Sequence, residues 1–179
     1  YKYKKYDDGS DIRASSVTRE TECMAKSITY IGEAIVDAAN DKIKSTTYYY
    51  SKDGAIRGEE LSLRTESYNA LHHIMQATEY FYGDSFLTAD NAGLAPDSSL
   101  TKSLTYQYYS LSASDAPFLA SDSRYAGYKG EEYVQKVYKY DHTNTGETYL
   151  SSRTDYYYHP DQRTDRTLTY DINSRWGVI

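Results

Sequence analysis

Apolar positions in this chain recur in short alternating runs and seldom form helical stripes. IKSTTYYY (43–50), IMQATEYFY (74–82), KSLTYQYY (102–109) and VQKVYKYD (134–141) each pass from a few polar or β-branched residues into Tyr-x-Tyr or a close variant. Residues i and i+2 share one face of a strand, so each run predicts a strand with two rings on the same side. Turn chemistry falls where the runs stop: Tyr6-Asp-Asp-Gly-Ser10, Ser51-Lys-Asp-Gly54, His142-Thr-Asn-Thr-Gly146 and His159-Pro-Asp-Gln162. There Asp and Asn bond to the local backbone, Gly accepts positive φ, and Pro presets its own φ. The last third predicts strands near 132–141, 147–158 and 163–171, joined as a β-meander.

Two stretches compete with an all-strand reading. IGEAIVDAANDKIK (31–44) spaces Ile31, Ala34, Ile35 and Ala38 as a helix does, and NALHHIMQA (69–77) is long enough for a helical turn or two. Both readings stay open. Segments 84–99 and 110–131, rich in Ser, Asp, Ala and Gly, read as long loop insertions. The expected fold is all-β, an antiparallel meander of stacked hairpins with little helix. Residues 1–179 form one repeat-built domain, expected to be a fragment of a longer chain.

Longer matches support repetition. ELSLRTESY (60–68) aligns with YLSSRTDYY (149–157), and the match extends to 48–68 against 138–158 with small gaps. If such strands pair, rings on successive hairpins are expected to stack into a tyrosine ladder. Its members are Tyr48, Tyr50, Tyr80, Tyr82, Tyr106, Tyr108, Tyr138, Tyr140, Tyr156 and Tyr158, each cross-strand contact contributing about 0.2–1 kcal/mol. Arg64-Thr65-Glu66 and Arg153-Thr154-Asp155 put a cation and an acid on one strand face, where they pair along the strand or with a neighbour.

Composition sharpens this picture. Of the 179 residues 39% are hydrophobic, but 23 are Tyr against three Phe and one Trp. Each Tyr buries a large ring yet needs a partner or water for its hydroxyl, which suits thin sheets with wet edges. A net charge of −6 and a pI near 5.2 argue against a nucleic-acid partner. No apolar run approaches the roughly 20 residues of a membrane helix. Cys23 is the only cysteine, which excludes an internal disulfide framework.

No residue reads as catalytic, cofactor-binding or metal-ligating, and no cofactor is implied. Ser85 in YGDSFLTADNAG (82–93) is similar to the nucleophile block of GDSL-type esterases. That family's Asp-x-x-His is missing, because Asp155 and His159 are separated by three residues. His72 and His73 are adjacent, so on a strand they face opposite sides and cannot clasp one metal. Asp7, Asp8 and Asp11 around Gly9 lack the register and distal Glu of a calcium loop.

YKYDHTNTG (138–146), a Tyr-x-Tyr-Asp followed by a Gly-containing turn, resembles the YD repeats of Rhs-type proteins and the related teneurin and toxin-complex shells; YYYSKDG (48–54) is a looser version. The resemblance implies β-hairpins spiralling into a wall or shell that encloses a toxic cargo or displays an adhesive surface. It implies an extracellular or cell-surface structural protein and no enzyme. The implied partners are further repeats of the same chain or a homo-oligomer, with an enclosed toxin or a surface glycan. The other readings are a carbohydrate-binding or adhesin module and a self-assembling extracellular filament subunit.

Overall fold

Strand-forming runs separated by turn residues give an almost uninterrupted meander. The computed structural model describes residues 2–4, 11–13, 23–31, 43–51, 58–95, 97–108, 116–143, 146–159 and 163–172. Their strands are β1 (Lys2–Lys4), β2 (Asp11–Arg13), β3 (Met24–Tyr30), β4 (Ile43–Tyr50), β5 (Leu61–Tyr68), β6 (Ile74–Tyr82), β7 (Leu87–Thr88), β8 (Leu100–Gln107), β9 (Phe118–Ala126), β10 (Tyr133–His142), β11 (Thr148–Tyr158) and β12 (Thr164–Asp171). They form one antiparallel sheet in the order β12-β11-β10-β9-β8-β6-β5-β4-β3-β1-β2, with the short β7 on the end of β6. No described residue is helical. Of the segment 31–44, the middle lies outside the described residues and Ile43-Lys44 open β4. The segment 69–77 is not a helix: Asn69–His73 is a tight turn, and Ile74 begins β6. In that turn Asn69 Oδ1 accepts from the amides of Leu71 and His73.

The expected loop 110–131 is corrected most. Phe118–Ala126 is a full central strand, β9, paired with β8 and β10. FLASDSRYA shows no apolar alternation because the side chain buried at its centre is an acid, Asp122, neutralised by Arg124. The loop 84–99 contains β7 and packs back on the end of β6. Its Ala89 and Leu94 are 1% and 2% exposed and pack on Tyr82, with Tyr50, Leu61, Leu63, Tyr80, Leu87 and Leu100 around them. Elsewhere both faces of the sheet are largely polar, and β12 is exposed along its whole length.

A single rule connects the hairpins. In all eight consecutive pairings from β3–β4 to β11–β12, the register slips beside the connecting loop, immediately before a tyrosine of the incoming strand. Those tyrosines are Tyr30, Tyr49, Tyr68, Tyr82, Tyr106, Tyr125, Tyr140 and Tyr158. Each time the outgoing strand carries one extra residue, such as Leu63 on β5 or Gln135 on β10. Such bulges bend the strand and increase its twist.

The hydrogen bonds reveal a tandem repeat. Ser27 Oγ bonds Tyr49 Oη at 3.2 Å, and Ser103 Oγ bonds Tyr125 Oη at 3.0 Å. Glu60 accepts from the amides of Met24 and Gly58; Glu132 accepts from those of Leu100 and Gly130. Tyr82 Oη donates to Ser62 O at 2.8 Å, and Tyr158 Oη to Val134 O at 2.6 Å. Each second member lies 72 or 76 residues after the first, so β3-β4-β5-β6 corresponds to β8-β9-β10-β11. MAKSITY (24–30) overlies LTKSLTY (100–106), and IMQATEYFY (74–82) overlies LSSRTDYYY (150–158). The match of 48–68 to 138–158 is not this repeat: it joins β4–β5 to β10–β11, hairpins that open toward opposite ends of the sheet.

One row of directly opposed residues crosses the repeats: Lys26, Tyr48, Arg64, Glu79, Leu104, Asp122, Tyr138, Arg153, Tyr170. Starting at Lys26, it reaches β8 at Leu104, two residues beyond Lys102, the counterpart of Lys26. The second repeat is therefore displaced along the strands relative to the first.

Candidate functional site

Residues directly opposite in antiparallel strands share a face, so the register sorts the side chains. The row Thr47, Thr65, Thr78, Thr105, Ser121 lies on one face. It is stitched by hydroxyl contacts of Thr47 with Thr65 (2.9 Å), Thr78 with Thr105 (3.0 Å) and Tyr80 with Thr65 (3.1 Å). The row through Arg64 and Arg153 lies on the other face, which carries the ions.

The expected tyrosine column does not form. Tyr48 stands between Lys26 and Arg64, Tyr106 between Ala77 and Leu119, and Tyr138 between Asp122 and Arg153. Tyr80 faces Ser103, Tyr156 faces Thr167, Tyr140 faces Leu150 and Tyr158 faces Thr164. Tyr108 Oη accepts from Arg64 Nη2. Tyr50, Tyr80 and Tyr82 do meet, in the small apolar cluster. Each Tyr-x-Tyr pair closes its strand, so in antiparallel neighbours such as β6 and β8 or β10 and β11 the pairs lie at opposite ends of the sheet, while β4 and β6, and β8 and β10, are separated by another strand. Tyr133 and Tyr158, with centroids 4.8 Å apart, make a ring contact that spacing alone did not indicate.

On the ionic face, the two repeats use equivalent positions differently. In the first, Glu66 gathers its neighbours: Arg64 Nε donates at 2.9 Å, Tyr68 Oη at 2.7 Å and Tyr48 Oη at 3.4 Å. Arg64 also pairs with Glu79 at 3.2 Å. Burial, followed by the hydrogen bond to Glu66, pushes the Tyr68 phenol well above its ordinary value. This cluster is closed.

In the second repeat, the counterparts of Thr46, Tyr48, Arg64, Glu66 and Tyr68 are Asp122, Arg124, Lys136, Tyr138 and Tyr140. With Gln135, they line a shallow depression of about 410 Å³. Arg124 holds Asp122: Nη2 donates to Oδ2 at 2.8 Å, while Nε sits 2.8 Å from Oδ1 without hydrogen-bond alignment. The Arg124 guanidinium also stacks 5.0 Å from the Phe86 ring. Arg153, where the first repeat has Ala77, takes both oxygens of Asp155, the counterpart of Glu79. That hydrogen bond holds the Asp155 carboxyl below the usual range. Along both strands, the arginine–acid pairing predicted from spacing is present. Gln135 is the extra residue of its bulge, which brings two consecutive side chains, Gln135 and Lys136, to one depression.

The remaining candidates do not converge. Ser85 lies in the turn after β6, Asp155 is on β11 four strands away, and His159 Nε2 is 3.2 Å from Asp165. His72 turns with φ of 60° beside Tyr68, and its Nε2 is buried without a hydrogen-bond partner. Asp7, Asp8 and Gly9 lie outside the described residues, and Cys23 is buried. Among the described residues, no cluster of three His, Cys, Asp or Glu side chains has metal-binding geometry. Compared with family models, with curated proteins and with solved structures, the chain matches none.

Proposed function

We propose that this chain is a structural protein of the cell surface or extracellular space, a rigid β-sheet wall built from tandem four-strand units. The observation that carries the reading is the exact correspondence of cross-strand bonds between the two units, Ser27–Tyr49 with Ser103–Tyr125 and Glu60–Met24 with Glu132–Leu100. Cohesion comes from strand-to-strand stitching, and no large side chain among the described residues is fully enclosed. Each unit buries its neighbour's flank, so stability is expected to rise with the number of units, as in other repeat architectures. The YD-like Tyr-x-Tyr-Asp turn agrees with this use.

The test is a chain in which residues 24–99 are duplicated in tandem. The wall reading predicts one cooperative urea transition with a higher midpoint than the parent. Two separate transitions, or an unchanged midpoint, would count against it.

A further inference from the structure

The ionic face of the first repeat shows what its residues do when satisfied. One carboxylate, that of Glu66, receives a guanidinium and two phenols. The second repeat keeps a cation at Lys136 and a phenol at Tyr140, but has Tyr138 in place of that carboxylate. The other acid within reach in the first repeat, Glu79, has its counterpart in Asp155, which Arg153 has captured. Consequently Lys136 has no ion-pair partner among the described residues and reaches Asp155 through its longer-range field. The Gln135 amide and the Tyr138 and Tyr140 hydroxyls have no hydrogen-bond partner among the described residues either, and all four side chains border the depression. Burial, followed by the nearby charge of Asp122, raises the Tyr140 phenol, while Arg124, paired with that acid, opposes the Asp122 charge.

We propose that this depression binds a carboxylated sugar, whose carboxylate takes the place that Glu66 fills in the first repeat. Lys136 and the Tyr140 hydroxyl receive the carboxylate, the Tyr138 ring lies against the pyranose, and the Gln135 amide meets its hydroxyls. Aromatic rings bordered by a few convergent polar groups suit an amphipathic ring. The open, shallow shape suits one residue of a longer glycan. The inference goes beyond the wall reading and fails independently of it, because binding is read locally while the wall is read from cooperativity.

The experiment titrates the whole chain with oligogalacturonate, neutral galacto-oligosaccharide and polyglutamate, following backbone amide chemical shifts. Oligogalacturonate is expected to move the amides of residues 135–140. The neutral oligomer should bind at least about tenfold more weakly, the size of one lost charge-assisted hydrogen bond. Lys136→Met should weaken uronate binding by a similar factor. The pair Asp122→Thr with Tyr138→Glu rebuilds the Thr46 and Glu66 arrangement, so it should close the site and abolish binding while circular dichroism stays unchanged. Absence of shifts at 135–140, equal affinity of Lys136→Met, or equal binding of polyglutamate would each overturn the proposal, the last by showing carboxylate capture without sugar recognition.

Discussion

Glu60 Oε1 accepts a 2.6 Å hydrogen bond from the Met24 amide, so the residue that enters β5 secures the entry of β3, past the end of β4. Glu132 does the same for Leu100 across β9 at 3.0 Å, and each glutamate also holds the amide of a glycine two residues before it. Hydrogen bonds to a charged acceptor are each worth about 1.5–3 kcal/mol. Glu60→Ala and Glu132→Ala are therefore expected to lower unfolding free energy by about 2 kcal/mol or more in urea titrations. Glu132→Gln should recover part of the loss, since one amide oxygen still accepts.

Gly127 leads β9 into its turn with φ of +111°, and a Cβ there would lie 2.6 Å from the Glu131 carbonyl oxygen. Gly130 has φ of +85° but open space around it. Gly130→Ala should cost only the left-handed backbone penalty, about 1–2 kcal/mol. Gly127→Ala carries that penalty plus a clash with backbone, and the comparison of urea midpoints should show a clearly larger loss for Gly127.

The depressed Asp155 carboxyl makes stability depend on acid. A group whose folded pKa lies below its unfolded value, about 3.9, contributes stability above that value and loses it as pH falls toward the folded pKa. Asp155→Asn should therefore be less stable than the parent at pH 7, with the gap narrowing below about pH 4. A gap that stays constant down to pH 2 would show that the carboxylate charge is irrelevant there.

Tyr82 sets the opposite limit. Burial raises its phenol well above the ordinary value near 10, so the unfolded chain ionises first. Stability should be level up to about pH 10 and fall beyond it. Tyr82→Phe should cost about 1 kcal/mol at neutral pH through the lost bond to Ser62, yet flatten the alkaline decline.

Strand periodicity was readable wherever strand edges coincided with turn chemistry. The expected 132–141, 147–158 and 163–171 became 133–142, 148–158 and 164–171. It was unreadable in β9, whose centre is a buried carboxylate paired with a half-buried arginine, with no hydrophobic signature. The Arg64–Glu66 and Arg153–Asp155 pairs follow from two-residue spacing. The stacking of rings does not, because it depends on which strands are neighbours and which ends they bring together, and antiparallel pairing sets successive Tyr-x-Tyr ends apart. The true repeat was hidden for a related reason. Its second copy has a shorter β4–β5-type loop and, in the next hairpin, strands that run two residues further on each side of the turn, and its face residues have diverged, Ala77 to Arg153 and Glu66 to Tyr138 among them. KS[I/L]TY and the T-acid-Tyr ends carry the signal, but they need the Ser27–Tyr49 and Ser103–Tyr125 bonds to fix their phase.

The displacement between Lys102 and Leu104 has a mechanical meaning. Two residues of offset amount to about 7 Å of climb for every four strands, roughly 19 Å of lateral growth. Units added by the same rule would step along the strand direction as they gain width, so the sheet would grow with a slanted border, as a square plank does not. The two faces of such a sheet would be different chemical surfaces, one threaded with hydroxyls and the other with ions.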